Sequence, residues 1–330
     1  MNKYFIGILV FAIISAAGFI CFVYYSNLNK VESVHSYKVG IIVRGNSYLP
    51  GADGFKAKMR QLGYEEGRNV SYLVRVVESK ADIEKAVTDL LASNVDLLHT
   101  YSTPVTQEVY KQTKTVPVVV GSMGDPLVTG FIDTLQKPGK NVTGINSLSV
   151  PLVTKRLELL VEAFPNIKKI AMAYSPEDPN GVKSFALASE AGKKLGVTVI
   201  EYSISAERDV VATAAAIKRA DVDGIVRAAD SLTLSNLPLY IEQAKSEKLP
   251  FAVSDKVNVE QGGLMSYGPE YFQMGEQSAV LAHKIFKGAK PGELPVENPQ
   301  LKLVVNLKTA EFLGVTFPDE FLAKADIIIK

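Results

Sequence analysis

Apolar runs of strand length alternate with longer stretches of helical period along the chain from Tyr37 onward. The first series predicts strands at 38–43, 69–76, 96–100 and 116–120, and helices at 51–62, 81–92 and 105–112. Strands that alternate with helices are typical of βαβ units, which build a mostly parallel sheet. This part of the chain is therefore predicted to form a doubly wound α/β lobe.

A second series with the same alternation begins after Asn141. It predicts strands at 169–173, 198–202, 224–226, 251–253 and 301–307, and helices at 152–164, 181–194, 210–218, 234–246 and 271–287. The final helix and tail fit either lobe. No low-complexity stretch or short-period repeat interrupts the pattern. The fold class is accordingly α/β, with two Rossmann-like, doubly wound lobes.

The amino terminus carries a long apolar segment. From Tyr4 to Tyr25 there is no charge, and about 20 apolar residues suffice for a helix to cross a bilayer. Lys3 precedes the segment, which favours an amino terminus inside and the bulk of the protein outside the cytoplasm. Residues 1–30 are predicted to be a retained transmembrane anchor that ends in a polar tether. The alternatives are a signal peptide cut after Ala17 and a lipoprotein acylated at Cys21.

Composition removes several classes of function. Lys and Arg total 36 against 35 Asp and Glu, so the net charge of +1 gives no reason to expect a nucleic-acid partner. One cysteine permits neither an internal disulfide nor a cysteine metal cluster. His35, His99 and His283 fall in the tether, a strand and a helix, and no phosphate-binding glycine motif follows the first strand. We therefore expect no catalytic residues, no metal and no cofactor.

Loops at the carboxyl ends of parallel strands are where open α/β sheets bind ligands. Here these loops are rich in hydroxyls, amides, glycines and aromatic rings, with few carboxylates. Such groups suit a small polar molecule held by hydrogen bonds and stacking. The candidate ligand-binding residues are Asn46, Ser47, Tyr101, Ser102, Thr103, Ser122, Asp125, Tyr174, Asp230 and Ser254.

Two of these loops suggest an amino acid. Ser102 and Thr103 precede a proline at a predicted helix start, where free N–H groups suit a carboxylate, although the pair could simply cap the helix. Asp230, in the other lobe, could bind an ammonium group or cap the helix that follows it. Asp255 is assigned to the rim of the cleft. Tyr101 and Tyr174 could enclose a ligand side chain or form the edge of the core.

The loop 121–126, GSMGDP, has the same ambiguity. Gly121 and Gly124 would allow the backbone to turn sharply and approach a ligand, while Ser122 offers a hydroxyl. The alternative is an ordinary turn between a strand and a helix. We expect this loop to form one wall of the cleft.

Four stretches resemble a known family: GDPLVTGFIDTLQKPGKNVTGI, GFKAKMRQLGYEEGRNV, GGLMSYG and LVVNLKTAEFLGVTFP. From Tyr37 to Lys330 the chain resembles the extracytoplasmic substrate-binding proteins of bacterial ABC transporters, in the subfamily associated with tryptophan and related amino acids. The resemblance implies a type I periplasmic-binding-protein fold without catalysis, in which crossing strands join two lobes. The lobes would comprise 37–146 with 268–300, and 147–267 with 301–330.

The resemblance also places the family's cleft loops on nine of the candidate residues: Asn46, Ser47, Ser102, Thr103, Ser122, Asp125, Tyr174, Asp230 and Ser254. Two features depart from the family pattern. The family commonly begins with a cleaved or lipoprotein signal, whereas this chain is expected to keep its anchor. Where the family has Pro-Gly-Gly-Asn, this chain has Lys140 in place of the second glycine, which suggests a changed turn near the hinge.

The expected function is an extracytoplasmic solute-binding protein that captures an amino acid, aromatic or branched, for an ABC transporter permease. The alternative is a membrane-tethered sensing domain of the same fold that reports to a signalling partner. An anchored α/β enzyme is a third candidate. Fold alone does not decide among these functions, because one scaffold accepts different ligands and partners.

Overall fold

The computed structural model describes residues 36–127 and 130–330. The predicted membrane segment at 4–25 lies outside these residues. Among the helices within them, none has the length and apolar character needed to cross a membrane.

A five-stranded sheet in the order β2-β1-β3-β4-β5 forms the first lobe. Its strands are β1 (Tyr37–Arg44), β2 (Val70–Val77), β3 (Leu97–Tyr101), β4 (Val118–Met123) and β5 (Val142–Asn146). The helices between them are α1 (Leu49–Gln61), α2 (Lys80–Ala92) and α3 (Thr103–Gln112). Strand β5 pairs in parallel with β4, with Val142 opposite Val118.

A seven-stranded sheet in the order β12-β11-β10-β9-β8-β6-β7 forms the second lobe. Its strands are β6 (Lys169–Tyr174), β7 (Thr198–Ser203), β8 (Gly224–Val226), β9 (Phe251–Val253), β10 (Met265–Gly268), β11 (Lys302–Asn306) and β12 (Ile327–Ile329). Only the β10 and β11 pair is antiparallel among the strand pairs that the structure describes in this sheet. The carboxyl-terminal tail thus ends as a strand of the second sheet.

Nine further helices follow β5. They are α4 (Leu152–Ala163), α5 (Pro179–Leu195), α6 (Val210–Ala215), α7 (Ser231–Ser235), α8 (Leu237–Ser246), α9 (Lys256–Glu260), α10 (Tyr271–Phe286), α11 (Leu307–Leu313) and α12 (Asp319–Leu322). The two sheets and their helices confirm the predicted α/β class.

Helix α10 follows a strand of the second sheet but packs on α1 of the first lobe. Glycines allow this close approach. A Cβ atom added at Gly275 would lie 1.9 Å from the carbonyl oxygen of Gly51, and a Cβ atom added at Gly54 would lie 2.0 Å from the carbonyl oxygen of Phe272. A side chain at either glycine would force the two backbones apart. The chain therefore returns to the first lobe after β10.

Near the predicted hinge, the turn at 138–141 uses its first glycine for the left-handed conformation. Gly139 has φ 76°, and Lys140 is not among the residues with positive φ. Lys140 Nζ instead donates to the carbonyl oxygen of Gly130 at 2.9 Å and pairs with Asp133 at 3.2 Å. A lysine is thus compatible with this turn.

Candidate ligand-binding site

The strand ends of the two lobes face each other across a cleft that contains two cavities. The inner cavity has a volume of about 20 Å³ and is lined by residues of both lobes. Its polar and aromatic lining comprises Tyr48, Ser102, Thr103, Ser122, Ser147, Ser149, Asn180, Arg227, Asp230, Ser231 and Tyr271. The outer chamber has a volume of about 370 Å³ and shares Thr103 and Asp230 with the inner cavity.

Ser102 adopts a strained backbone conformation at the start of α3. Its φ of 84° lies in a region that costs a non-glycine residue about 1 kcal/mol or more. The side chain is buried, makes no capping hydrogen bond to α3, and its Oγ has no hydrogen-bond partner among the described residues. The sequence left two roles open for Ser102, ligand binding and helix capping. The structure shows no cap by its side chain.

Thr103 and Asn180 connect the two lobes at the inner cavity. Asn180 Nδ2 donates to Thr103 Oγ1 at 2.8 Å, while Asn180 Oδ1 is buried without a partner among the described residues. The glycine-containing loop after β4 fits against this contact, because a Cβ at Gly124 would lie 2.5 Å from Asn180 Nδ2. The predicted loop 121–126 is strand as far as Met123, because residues 121–123 belong to β4. Ser122 of β4 and Gly124 of the loop line the inner cavity.

Asp230 caps α7, the alternative considered from the sequence. Its Oδ1 accepts from the backbone N–H of Thr233 at 2.7 Å, and its Oδ2 accepts from that of Ser175 at 3.0 Å. Asp178 caps α5 and also accepts from the backbone N–H of Ser231 at 3.1 Å. Burial raises the pKa of both carboxyls, and the charge of Asp230 raises that of Asp178 further. Two neighbouring buried acids thus favour a cation beside them.

Arg227, at the end of β8, is a functional candidate that the sequence analysis missed. Its Nε donates to Ser254 Oγ at 2.5 Å, and its Nη1 donates to the carbonyl oxygen of Asp230 at 2.9 Å. Ser254 orients this guanidinium rather than lining either cavity. An arginine directly after a buried apolar strand was the available sequence signal.

Two tyrosines line the inner cavity, and neither was among the candidate residues. The rings of Tyr48 and Tyr271 lie 5.1 Å apart between their centroids. Tyr101 packs behind Tyr48 at 5.9 Å and is fully buried. Tyr174 stacks on Phe185 and donates its hydroxyl to Glu201 at 2.6 Å. Tyr101 and Tyr174 line neither of the two cavities. Of the two positions considered from the sequence, around the ligand or at the edge of the core, both tyrosines have the second.

Three other candidate residues lie at the lobe interface or outside the cavities. Asp125 forms an ion pair across the cleft with Lys183, at 2.6 Å. Ser47 Oγ donates across the cleft to the carbonyl oxygen of Leu234 at 3.3 Å. Asn46 is exposed and lines neither cavity.

The assignment of Asp255 to the rim is wrong, because its side chain is 2 % exposed. Asp255 Oδ1 accepts from the backbone N–H of Asn258 at 3.0 Å, and Oδ2 has no hydrogen-bond partner in the described part of the chain. Burial raises the pKa of Asp255 to about 6. The nearby Arg156 is fully buried, and burial together with the charge of Arg227 lowers its pKa to about 9.

Comparisons with known proteins identify the family. Residues 37–329 match the model of the ABC transporter substrate-binding protein family. The chain belongs to this family. Within the described residues, no group of three His, Cys, Asp or Glu side chains is placed to hold a metal.

Three relatives of this substrate-binding protein cover most of its length. A tyrosine-binding protein from Clostridioides difficile (strain R20291) is 27% identical over 296 residues, 88% of this chain and 85% of that protein. An ABC domain from Streptococcus pneumonia in complex with L-Trp is 26% identical with a TM-score of 0.82, over 89% of this chain and 100% of that one. A conserved domain protein from Vibrio cholerae is 30% identical with a TM-score of 0.83, over 89% of this chain and 99% of that one. The predicted family and type I fold are confirmed.

Proposed function

We propose that this substrate-binding protein captures an aromatic α-amino acid in the cleft and presents it to an ABC transporter permease, without catalysis. The observation that carries the proposal is the inner cavity, which combines hydroxyls, charges of both signs and two tyrosine rings. The relatives that bind tyrosine and L-Trp support an aromatic ligand.

Each part of such a ligand has a matching group. Its carboxylate would bind the unpartnered Ser102 Oγ at the start of α3, where backbone N–H groups favour an anion. Its ammonium would bind Asp230, beside Asp178. Its ring would pack against Tyr48 and Tyr271.

Ligand entry requires the lobes to separate. The inner cavity of about 20 Å³ holds about one water molecule, whereas ligand pockets are typically about 300–1,000 Å³. In this proposal residues 37–146 with 268–300 move against 147–267 with 301–330. The lobes lie outside the cytoplasm, held to the membrane by residues 1–30.

The test is thermal unfolding and calorimetry of the purified protein with L-Tyr, L-Trp and L-Phe, compared with L-Leu, L-Asp and ribose. A ligand at a hundredfold excess over its Kd stabilises the folded state by about 2.7 kcal/mol, so the aromatic amino acids should raise Tm clearly. If none of them raises Tm or releases heat while L-Leu or ribose does, the aromatic assignment is overturned.

A further inference from the structure

The outer chamber is the larger of the two cavities. Its volume of about 370 Å³ compares with about 20 Å³ for the inner cavity. The two meet at Thr103 and Asp230, the residues beside which the charged groups of the proposed ligand would lie. A ligand bound at this junction can therefore extend outward.

The first-lobe wall of the chamber carries three cations, Arg44, Lys80 and Lys111. Neither Arg44 nor Lys80 takes part in an ion pair with any residue that the structure describes. Arg44 Nε is buried and has no hydrogen-bond partner among those residues. Lys80 is the first residue of α2, where the helix dipole disfavours a positive charge. Arg44 is thus available to an anion in the chamber, and so is Lys80, although its charge also lowers the pKa of Glu108 on the same wall.

Other charged groups of the chamber are already engaged or have the opposite sign. Lys111 pairs with Glu108 at 3.1 Å on the same wall. The second-lobe wall carries the buried carboxylates Asp178 and Asp230, with the exposed Glu177 at its edge. The first-lobe wall carries three cations and one acid, Glu108, while the charged groups of the second-lobe wall are all acids. This distribution suits a molecule with an ammonium at one end and a carboxylate at the other.

We propose that the outer chamber is a subsite for a second residue, so that the protein also binds dipeptides with an aromatic first residue. This inference rests on the proposed function. The terminal ammonium would remain at Asp230, and the peptide carbonyl would replace the carboxylate at Ser102. The carboxylate of the second residue would bind Arg44 and Lys80.

The test is calorimetry with L-Tyr, the dipeptide Tyr-Ala and its carboxyl amide Tyr-Ala-NH2. Tyr-Ala should bind at least as tightly as L-Tyr. Amidation should weaken it about tenfold or more, a factor that corresponds to about 1.4 kcal/mol. Arg44→Gln should weaken Tyr-Ala by a similar factor and leave L-Tyr binding within about twofold. Arg44→Lys should restore part of the loss.

The matched control is Arg60→Gln, an exposed arginine of α1 in the same lobe, which should leave the binding of both compounds unchanged. If L-Tyr binds but Tyr-Ala does not, the subsite is overturned and the proposed function stands. If both bind and neither amidation nor Arg44→Gln matters, the subsite is again overturned. If no compound binds, the proposed function itself fails.

Discussion

Asp255 offers a direct test of how the protein tolerates a buried charge near its cleft. The side chain is 2 % exposed, and its Oδ2 has no hydrogen-bond partner among the described residues. Asp255→Asn keeps the shape of the side chain and an oxygen that can accept from the backbone N–H of Asn258, because asparagine is also a good helix cap. The substitution therefore removes the charge with little other change.

The magnitude follows from the pKa. Burial raises the pKa of Asp255 from its ordinary 3.8 to about 6, a difference of about two units or about 3 kcal/mol at 1.36 kcal/mol per unit. A raised pKa means that the folded state binds the proton more tightly than the unfolded state. The wild type therefore loses stability as the pH rises from about 4 to about 6 and carries the full penalty above that.

The assay is urea unfolding of wild type and Asp255→Asn at about pH 4 and about pH 7.5. The variant should match the wild type at the lower pH and have a free energy of unfolding about 1–3 kcal/mol higher at the upper pH. Asp89→Asn, at an exposed ion pair with Lys85, is the control and should show no such gain. If Asp255→Asn is instead less stable at the upper pH, the attraction of Arg156 and Arg227 outweighs burial and the reasoning fails.

Four further outcomes test the cleft. Ser102→Gly should be at least as stable as wild type in urea, because glycine adopts positive φ freely, yet calorimetry should show about tenfold weaker L-Tyr binding. Asp230→Asn should weaken L-Tyr binding by about thirtyfold or more, since losing a buried charged partner costs about 2–5 kcal/mol. It should also lower the unliganded Tm, because asparagine has one side-chain oxygen and cannot accept from the backbone N–H groups of both Thr233 and Ser175. Affinity for L-Tyr should fall as the pH drops from about 7.5 to about 5, because burial raises the pKa of Asp178 to about 6 and raises that of Asp230 as well, so protonation removes negative charge that binds the ammonium. Lys183→Ala should weaken L-Tyr by about fivefold at most, since a partly exposed ion pair contributes about 0.2–1 kcal/mol; a loss of a hundredfold would contradict its assignment as a lobe contact.

The long elements of the fold could be predicted because they repeat a clear period over many residues. The predicted helices at 51–62, 81–92 and 271–287 correspond closely to α1, α2 and α10. Short elements are predicted less completely: the predicted strands at 224–226 and 251–253 match β8 and β9, but α9, β10 and β12 are not predicted. Helix α9, β10 and β12 have five, four and three residues, too few for a hydrophobic period to appear. The predicted helix at 234–246 is two helices, and Pro238 lies in the first turn of the second.

The candidate site could be predicted at the level of loops but not of side chains. The carboxyl ends of strands and the loops after them follow from the parallel topology, and they include Ser102, Ser122 and Asp230 of the inner cavity. Which side chains meet across the cleft depends on how two separate lobes face each other, and sequence spacing carries no such information. Asn180 and Tyr271 lie in the first turns of helices, where a sequence pattern favours a structural assignment.

The contacts between the lobes indicate why a ligand could control their closure. Two neutral hydrogen bonds, from Asn180 to Thr103 and from Ser47 to Leu234, and the ion pair of Asp125 with Lys183 cross the cleft. A neutral hydrogen bond contributes about 0.5–1.5 kcal/mol and a partly exposed ion pair about 0.2–1 kcal/mol, so these contacts favour closure only modestly. A zwitterion that contacts Ser102 in one lobe and Asp230 in the other gains two charge-assisted hydrogen bonds, together about 3–6 kcal/mol, only when the lobes are closed. That difference shifts the equilibrium by a factor of about 10² to 10⁴, which approaches the range needed to convert a mostly open population into a mostly closed one.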